Sequence, residues 1–541
     1  MRDTKRRKRW VMGGVPILAA ALVAIMLLPG CAGPPPEGQQ IIINYGAEGG
    51  FNLGNGLDPH TSIGAAATPV VQALFEGLTR KEVGTNELKA CLATDWGIAP
   101  NWSHADFTIR EGITFSNGEA MTAEDVKFSF ERAMREDLNF ISGGEMRRCI
   151  DSIDIIDGYQ VRINLKEPWP AMLDRCSLGI MIVPKDYIEE NGDDYFADHP
   201  VGTGPFTLIS YATDDHVYMK AIEDHWRQSP DFDELRITFV PEAATRFSML
   251  KVGDMDIAWV GPAYIPEVEE DPNLRNIKAD QCYVHTIVFH DIKLDEEGNS
   301  TYPDSPWQDP KVRQAASLAI DREGICETGH GILTPFGGFV APYQPGYRER
   351  PVPEYNPQEA IRLLCEVAGV PANSTAPFDW EDWEWGDFSW EPAVRLGYGP
   401  ALSQLWEVGI KVNSNEMEFG AWATAHTQGT LCGIGYGPGP WWAGYSHPAS
   451  SMESHTCGMW APVGRTFPQL HEAYDELLHA ATNEEIALKT QALEDVMFEV
   501  GYRIPLWYVN NMWAVGPKVE WFEPVPGNNY LLGWEYLRVK E

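Results

Sequence analysis

Residues 107–126 read FTIREGITFSNGEAMTAEDV and contain the clearest local pattern in the chain. Apolar and polar residues alternate at the start, and Glu111-Gly112 and Ser116-Asn117-Gly118 are typical of tight turns next to strands. Thr122 is a good helix N-cap, and two acids follow it where the helix dipole favours negative charge. The stretch therefore predicts two short strands followed by a helix that extends through Met134.

Strand and helix patterns also alternate over the rest of the chain. Three-and-four spacing of apolar residues predicts a helix, whereas short β-rich or alternating runs predict strands. We expect helices over 68–78, 309–326, 357–368 and 402–408, and strands over 161–165, 206–211, 235–240, 410–412 and 504–514. Because 541 residues are too many for one compact core, this order predicts an α/β protein of two or three domains.

The charge balance excludes one large class of partners. Lys and Arg number 41 against 78 Asp and Glu, which gives a net charge of −37. A chain this acidic has no general basic surface that could neutralise phosphates, so we expect no nucleic-acid partner. Aromatic residues make up 11% of the chain, which allows enough apolar burial for most of it to fold.

The amino terminus has the pattern of an export signal. Six basic residues lie between positions 2 and 9, an almost wholly apolar run covers 11–28, and Leu28-Pro29-Gly30-Cys31 resembles the bacterial lipobox. We expect a lipoprotein signal peptide over 1–30, lipidation of Cys31 and a Pro-rich tether over 31–40. The protein would then be lipid-anchored on the outer side of the cytoplasmic membrane, periplasmic or extracellular. An uncleaved membrane helix is the alternative for the apolar run.

Eight cysteines remain after Cys31, and none of them forms a Cys-x-x-Cys pair. An exported chain can carry disulfides, but the spacing does not fix their pairing. Cys432 with Cys457 is the first pair to consider, because both flank a Gly- and Pro-rich loop. We expect no zinc site and no cofactor.

Several landmarks in the same order resemble the ABC-importer substrate-binding proteins of family 5, the oligopeptide, dipeptide and nickel-binding type. The resemblance covers nearly all of the chain after the signal. Its landmarks are LDPH at 57–60, FEGL at 75–78, LATDW at 92–96, the stretch 107–126, VGTGPF at 201–206, GDMD at 253–256, VRQA at 312–315, AIDR at 319–322 and GIKV at 409–412.

The resemblance implies a two-lobed, periplasmic-binding-protein-like fold of type II, with an additional domain inserted in the first lobe. Such lobes close over a ligand, and the membrane permease of the importer recognises the closed form. Mapped onto this chain, lobe I takes 41–80, 200–290 and 505–541, the extra domain takes 81–199, and lobe II takes 291–504. We expect a monomer whose partners are a small-molecule ligand and the transmembrane subunits of the permease.

The resemblance also indicates a ligand-binding segment in lobe II. Peptide-binding members carry an aromatic residue there, then an Asp that pairs with the α-ammonium of the peptide, then Tyr and Pro. Residues 441–448 read WWAGYSHP, which matches in shape but has Gly444 at the Asp position. A buried ammonium without an anionic partner costs several kcal/mol, so either another acid replaces this Asp or the ligand is not a peptide.

Candidate residues exist for both possibilities, a replacement acid and a ligand that is not a peptide. Glu48 and Glu453 are candidate replacement acids, while Trp441 and Trp442 offer flat faces that can stack on sugar rings, so an oligosaccharide ligand is the main alternative to a peptide. The predicted ligand-binding set is Glu48, Phe51, Trp441, Trp442, Gly444, Tyr445, His447 and Tyr508. Of Trp507 and Tyr508, in the late strand that returns beside the cleft, one should face the ligand.

Other functional classes have weaker support. No metalloprotease, nucleophile-elbow, phosphate-loop or dinucleotide motif is present in the sequence, so we expect no catalytic residue. We expect the charged residues of the landmarks to have structural roles: Glu76, Arg80, Arg110, Asp125, Arg246 and Arg313. The rival from another class is a secreted glycoside hydrolase, because residues 380–391 mix four Trp with acids. Metal ligation by His447 and His455 is a further hypothesis, since nickel binders share the fold.

Overall fold

The computed structural model describes residues 40–47, 56–61, 67–140, 142–371, 384–390, 395–438, 447–456, 461–480, 482–528 and 530–540. The strands are β1 (Ile42–Ala47), β2 (Thr79–Lys81), β3 (Leu88–Ala90), β4 (Ala93–Ile98), β5 (His104–Ile109), β6 (Ile150–Asp157), β7 (Gln160–Leu165), β8 (Phe206–Ala212), β9 (His216–Ala221), β10 (Glu234–Phe239), β11 (Ile257–Ala258), β12 (Arg275–Phe289), β13 (Leu333–Pro335), β14 (Asp387–Trp390), β15 (Asn413–Glu416), β16 (Ile434–Pro438), β17 (Arg503–Val515), β18 (Val519–Trp521) and β19 (Arg538–Val539).

Helices are distributed among these strands along the whole chain. They are α1 (Thr68–Leu74), α2 (Ala123–Ala133), α3 (Gly143–Cys149), α4 (Met172–Leu178), α5 (Lys185–Asn191), α6 (Asp193–Asp198), α7 (Ala243–Val252), α8 (Ile265–Glu270), α9 (Pro310–Leu318), α10 (Arg322–Glu327), α11 (Pro357–Ala368), α12 (Arg395–Glu407), α13 (Phe419–Gln428), α14 (Pro448–Thr456), α15 (Pro468–Leu478) and α16 (Asn483–Val500). Within the ranges given above, no helix is both long enough and apolar enough to cross a membrane.

Buried apolar side chains form three large clusters. The lobe I core contains side chains from residues 43–75, 181–279 and 513–537. The lobe II core is built from Ile265 and from residues between 287 and 509. The extra-domain core lies between residues 78 and 201. Each cluster combines strands and helices, as expected when a sheet buries its apolar face against helices.

Two long strands connect the lobe I and lobe II cores. In the part of the chain that the structure describes, the largest sheet has 11 strands in the order β15-β14-β16-β12-β17-β11-β1-β10-β9-β8, with β13 pairing on β17. Strands β12 and β17, of 15 and 13 residues, pair antiparallel in the middle of this order. Their register shifts between Ala279 and Tyr283, and again between His285 and Thr286. These two strands are called the hinge strands below, because a β-bulge bends a strand locally.

The extra domain contains the sheet β4-β5-β7-β6, against which α2 packs. Helix α2 begins with a capping box, in which the Thr122 hydroxyl accepts from the amide of Glu124 and the Asp125 carboxylate accepts from the amide of Thr122 at 2.8 Å. The predicted strand at 107–110 and the helix after Thr122 are therefore confirmed. The second short strand is not formed, because its residues make only an isolated bridge between Thr114 and Ala120.

The continuous helix expected over 309–326 is wrong, since α9 and α10 are separate. Asp321 interrupts the helix because its carboxylate accepts from the amide of Gly324 at 2.9 Å and starts a new helical turn. The guanidinium of Arg322 bonds the carbonyl of Ser317 at 2.9 Å and so satisfies the end of α9.

The strand expected over 410–412 is displaced to β15. The amide of Ile410 bonds the carbonyl of Leu405 at 3.0 Å, so this residue still belongs to the end of α12. Strand pairing begins only at Asn413, which pairs with Asp387 of β14. Helix α1 likewise ends at Leu74, four residues before the end expected at Leu78.

Candidate functional site

Strand β16 ends shortly before the predicted ligand-binding segment of lobe II and lies next to the hinge strands. Pro438, the last residue of β16, pairs with His285 of β12, and Tyr508 of β17 pairs with Val284 one position along. The segment 441–446 begins three residues after Pro438. Trp441, Trp442, Gly444 and Tyr445 lie outside the described residues, as do Glu48 and Phe51, so their role in binding stays a prediction.

Trp507 and Tyr508 point to opposite faces of β17, as neighbouring strand residues do. Trp507 is fully buried in the lobe II core, where its indole N–H donates to Nδ1 of His285 at 3.2 Å. Tyr508 belongs to a separate small cluster and stacks on Phe336 with ring centroids 3.9 Å apart. Its hydroxyl lies 3.5 Å from the carbonyl of Val340. Tyr508 is therefore the member of the pair outside the main core.

Replacing Tyr508 with leucine should lower the free energy of unfolding by about 1 kcal/mol, because the stacked pair with Phe336 is lost while most apolar area is kept. Tyr508→Phe should have a smaller effect, since the hydroxyl contact with Val340 is long. Denaturant unfolding of both variants measures this difference. Equal losses would show that the hydroxyl, and not the ring, supplies the interaction.

Tyr283 is a further residue of hinge strand β12. It is half-buried at the register shift of β12 and packs against both the lobe I core and the lobe II core. A residue with contacts on both sides of a hinge is sensitive to the angle between the lobes. No signal in the sequence around residue 280 marks Tyr283, because the length of β12 is visible only in the structure.

His447 is held at the start of α14. Its Nδ1 accepts from the amide of Ala449 at 3.2 Å, so the imidazole caps the first turn of the helix. Burial lowers the pKa of His447 to about 4, and only the charge of Asp174 in the extra domain opposes this shift. The ring is therefore neutral at physiological pH and offers no positive charge to a ligand.

Glu453, one of the two candidate replacement acids, faces the extra domain. Its carboxylate lies 3.9 Å from Nη2 of Arg148, which is in the last turn of α3 and also bonds Glu167. Burial and the neighbouring acids Glu145 and Glu167 raise the pKa of Glu453. Its surroundings are thus those of a contact between α14 and the extra domain.

His455, the partner considered for metal ligation, is buried at the other end of α14. Its Nδ1 lies 3.1 Å from Nη1 of Arg503, and burial together with this guanidinium lowers the pKa of His455 well below its ordinary value. His447 and His455 are eight positions apart, which corresponds to about 12 Å along a helix and is too far for one ion. Among the described residues, no group of three or more His, Cys, Asp or Glu is arranged to hold a metal ion.

A model of the family described as bacterial extracellular solute-binding proteins, family 5, middle region, matches residues 87–459. This chain belongs to that family. It is 25% identical over 397 residues to heme-binding protein A of Haemophilus influenzae, covering 66% of this chain and 68% of that protein. It is 27% identical over 371 residues to the glutathione-binding protein GsiB of Salmonella typhi, covering 67% of this chain and 68% of that one.

A solved structure supports the same assignment at the level of the fold. The periplasmic binding protein DppA of Helicobacter pylori, in complex with the peptide STSA, has a TM-score of 0.71 at 20% identity, covering 93% of this chain and 98% of that one. The expected α/β, two-lobed type II fold of family 5 solute-binding proteins is therefore confirmed.

The charged landmarks of this family 5 protein occupy structural positions. Glu76 accepts from Arg227 at 2.8 Å and from the indole of Trp226 at 2.9 Å. The others contact backbone or neighbouring side chains: Arg80 bonds Glu82, Arg110 the carbonyl of Cys91, Asp125 the amide of Lys185, Arg246 the carbonyl of Pro241, and Arg313 the carbonyl of Trp307. Such contacts hold neighbouring segments of the chain together.

Part of the Trp-rich acidic stretch belongs to the lobe II core of this solute-binding protein. Trp385 is buried there, and its carbonyl accepts from the indole of Trp307 at 3.0 Å. Asp387 lies in β14, where its carboxylate contacts the amide of Asn415 at 3.4 Å. Residues 380–383 and 391 lie outside the described residues.

The cysteine pair considered above is not found, since Cys432 is a free thiol, and Cys457 lies outside the described residues.

Proposed function

We propose that this chain is the solute receptor of an ABC importer, which captures a peptide or a similar organic solute between its lobes and delivers it to the membrane permease. The observation that carries the proposal is the pair of hinge strands, β12 and β17, which join two separately packed cores. A ligand that contacts both lobes stabilises the closed form over the open one. Membership of the solute-binding family supports this use of the hinge.

We propose that a lipid anchor keeps the protein at the outer side of the cytoplasmic membrane. Lipidation of Cys31 and the tether over 31–40 would hold the folded part near the permease on the outer side of the cytoplasmic membrane. We propose that the receptor acts as a monomer and without catalysis. The lobe domains would follow the boundaries given above.

The ligand class is the open part of the proposal, because the relatives bind different ligands. The relatives are named for heme and for glutathione, and the structural relative holds the peptide STSA. Gly444 removes the carboxylate that peptide binders use for the α-ammonium. Glu453 faces Arg148, so Glu48 is the better of the two candidate replacement acids.

An oligosaccharide ligand is the second candidate, and Trp441-Trp442 next to Gly444 is the observation that favours it. Indole faces stack on sugar rings, and a glycine leaves room for a ring where a carboxylate would stand. His447 is neutral and therefore compatible with an uncharged ligand.

The test is a binding screen of the lipid-free receptor against peptide pools, cello- and malto-oligosaccharides, glutathione, heme and nickel–histidine. A ligand present at one hundred times its Kd should stabilise the fold by about 2.7 kcal/mol and raise Tm. Calorimetry should then give one equivalent bound, and chromatography should recover the ligand unchanged. Steady turnover of a glycan would overturn the proposal in favour of a glycoside hydrolase.

Gly444→Asp should strengthen binding of peptides with a free amino terminus by about tenfold, because a charged hydrogen bond contributes about 1.5 kcal/mol or more. N-acetylated peptides of the same sequence are the matched control and should show no gain. Calorimetric titration of both variants with both peptides measures the effect. An equal change for free and acetylated peptides would place the α-ammonium elsewhere.

A further inference from the structure

Helix α14 connects the ligand-binding segment to the extra domain. The segment 441–446 ends two residues before α14 begins, and the helix places Glu453 3.9 Å from Arg148. Gln344 holds α14 to lobe II through a hydrogen bond of 2.8 Å from its side-chain amide to the hydroxyl of Ser451. Lobe II therefore touches the extra domain through the same helix that follows its predicted ligand-binding residues.

The charges that face Glu453 come from the extra domain and are already paired among themselves. Arg175 bonds Glu145 at 2.8 Å, and Glu145 also accepts from the indole of Trp169 at 2.7 Å. Arg148 bonds Glu167 directly. These four charged residues, with Glu453, are called the latch cluster below.

The latch cluster holds three carboxylates and two guanidinium groups. Because each arginine already has a carboxylate partner, the approach of Glu453 adds one negative charge that the cluster does not balance. Close by, Asp174 bonds Lys81 in a buried pair and faces His447, so this pair supplies no spare positive charge. Ionised Glu453 thus opposes the contact, whereas protonated Glu453 leaves the cluster neutral.

We propose that the contact between α14 and the extra domain is a latch that favours lobe closure at mildly acidic pH, with Glu453 as its titrating group. The inference rests on the proposed function, because it takes this contact as one formed on closure. The raised pKa of Glu453 supports this direction, in which low pH favours the closed form. A group whose pKa is raised in the closed form stabilises that form at low pH, and this stabilisation is lost as pH rises through the raised value.

The latch can be tested without knowing the ligand, by measuring the distance between lobe II and the extra domain. Spin labels carried by a genetically encoded ketone residue at the exposed positions Ile156 and Leu488 avoid the native cysteines. Pulsed dipolar spectroscopy of the full chain then gives the closed and open populations between pH 7.5 and 5. The closed-to-open ratio should rise as pH falls, by at most about tenfold per pH unit, because one proton is involved.

Glu453→Gln mimics the protonated carboxyl and should give a high closed population at every pH, with the pH dependence removed. Glu472→Gln, on the exposed surface of α15, is the matched control and should behave like the unchanged protein. A closed population that does not change with pH, or that falls in Glu453→Gln, would overturn the latch. Either result would leave ligand binding intact, so it would not be confused with failure of the proposed function.

Discussion

Replacing Arg132 with methionine should lower the free energy of unfolding by about 3–5 kcal/mol, because a buried carboxylate would lose its cation. The Arg132 side chain is 1% exposed, and its guanidinium bonds both oxygens of Asp58, which is 2% exposed. It also donates to Asp193 at 2.7 Å and lies 3.0 Å from Nδ1 of His60. No other residue type supplies this fork of donors.

The consequence extends beyond one ion pair, because Arg132 lies in α2 of the extra domain while Asp58 and His60 belong to the segment before α1. The LDPH landmark is therefore one half of a buried joint between two parts of the chain. Chemical denaturation, with circular dichroism as the signal, measures the loss.

The matched control is Arg162→Met, which removes the same residue type from an ion pair with equally good geometry. Arg162 donates to both oxygens of Asp106 at 2.7 and 2.8 Å, but both side chains are well exposed. Exposed pairs contribute little, so stability should hardly change. If both variants lost a similar free energy of unfolding, burial would not explain the contribution of the Arg132 network to stability.

Lowering the pH from 7 to 4 should destabilise the fold strongly, with protonation of the buried His60 and His285 among the causes. Burial, with Arg132 as the second cause, lowers the pKa of His60 from 6.5 to about 4. Burial alone lowers that of His285 to about 3. The change at His60 corresponds to about 3 kcal/mol of stability that is lost at low pH, and His285 adds a comparable amount.

The sign follows from which state binds the proton. Both rings are neutral in the fold, whereas the unfolded chain takes up protons near pH 6.5, so stability is complete above that pH. It then falls progressively as pH drops from 6.5 toward the folded pKa values of about 4 and 3.

Urea unfolding at a series of pH values measures this dependence. In His60→Gln the side-chain amide can still accept from Arg132 and donate to the carbonyl of Met181. Between pH 6 and 4.5, unfolding of this variant should take up close to one proton fewer, so its free energy of unfolding should depend less steeply on pH. The exposed His479 provides the control, since His479→Gln should leave the slope unchanged. An unchanged slope in His60→Gln would show that this ring does not resist protonation in the fold.

Local signals in the sequence were sufficient for much of the scaffold. Thr122 and Asp125 predict the start of α2 because a capping box involves residues three apart in the chain. The same logic could have found the break at Asp321, which is also an N-cap, but the apolar spacing over 309–326 concealed it. The family was correctly predicted because its landmarks recur in order.

The sequence could not show contacts between residues far apart in the chain. Tyr283 is notable only because two cores meet at its ring, and Glu453 only because α14 places it beside Arg148, more than 300 positions earlier. Both observations depend on tertiary contacts between residues that are far apart in the chain. The spacing of Trp507 and Tyr508 does predict opposite faces, yet only the structure shows that Trp507 belongs to the lobe II core.

The antiparallel pair of β12 and β17 has a mechanical consequence. Its two irregularities lie between regular ladders of backbone hydrogen bonds, so the pair can bend there while the ladders on each side remain intact. We expect the lobes to open by bending of this continuous pair of strands, within a limited range, and not by free rotation about a linker. A receptor built in this way returns to the same geometry after each release, which suits repeated docking on a single permease surface.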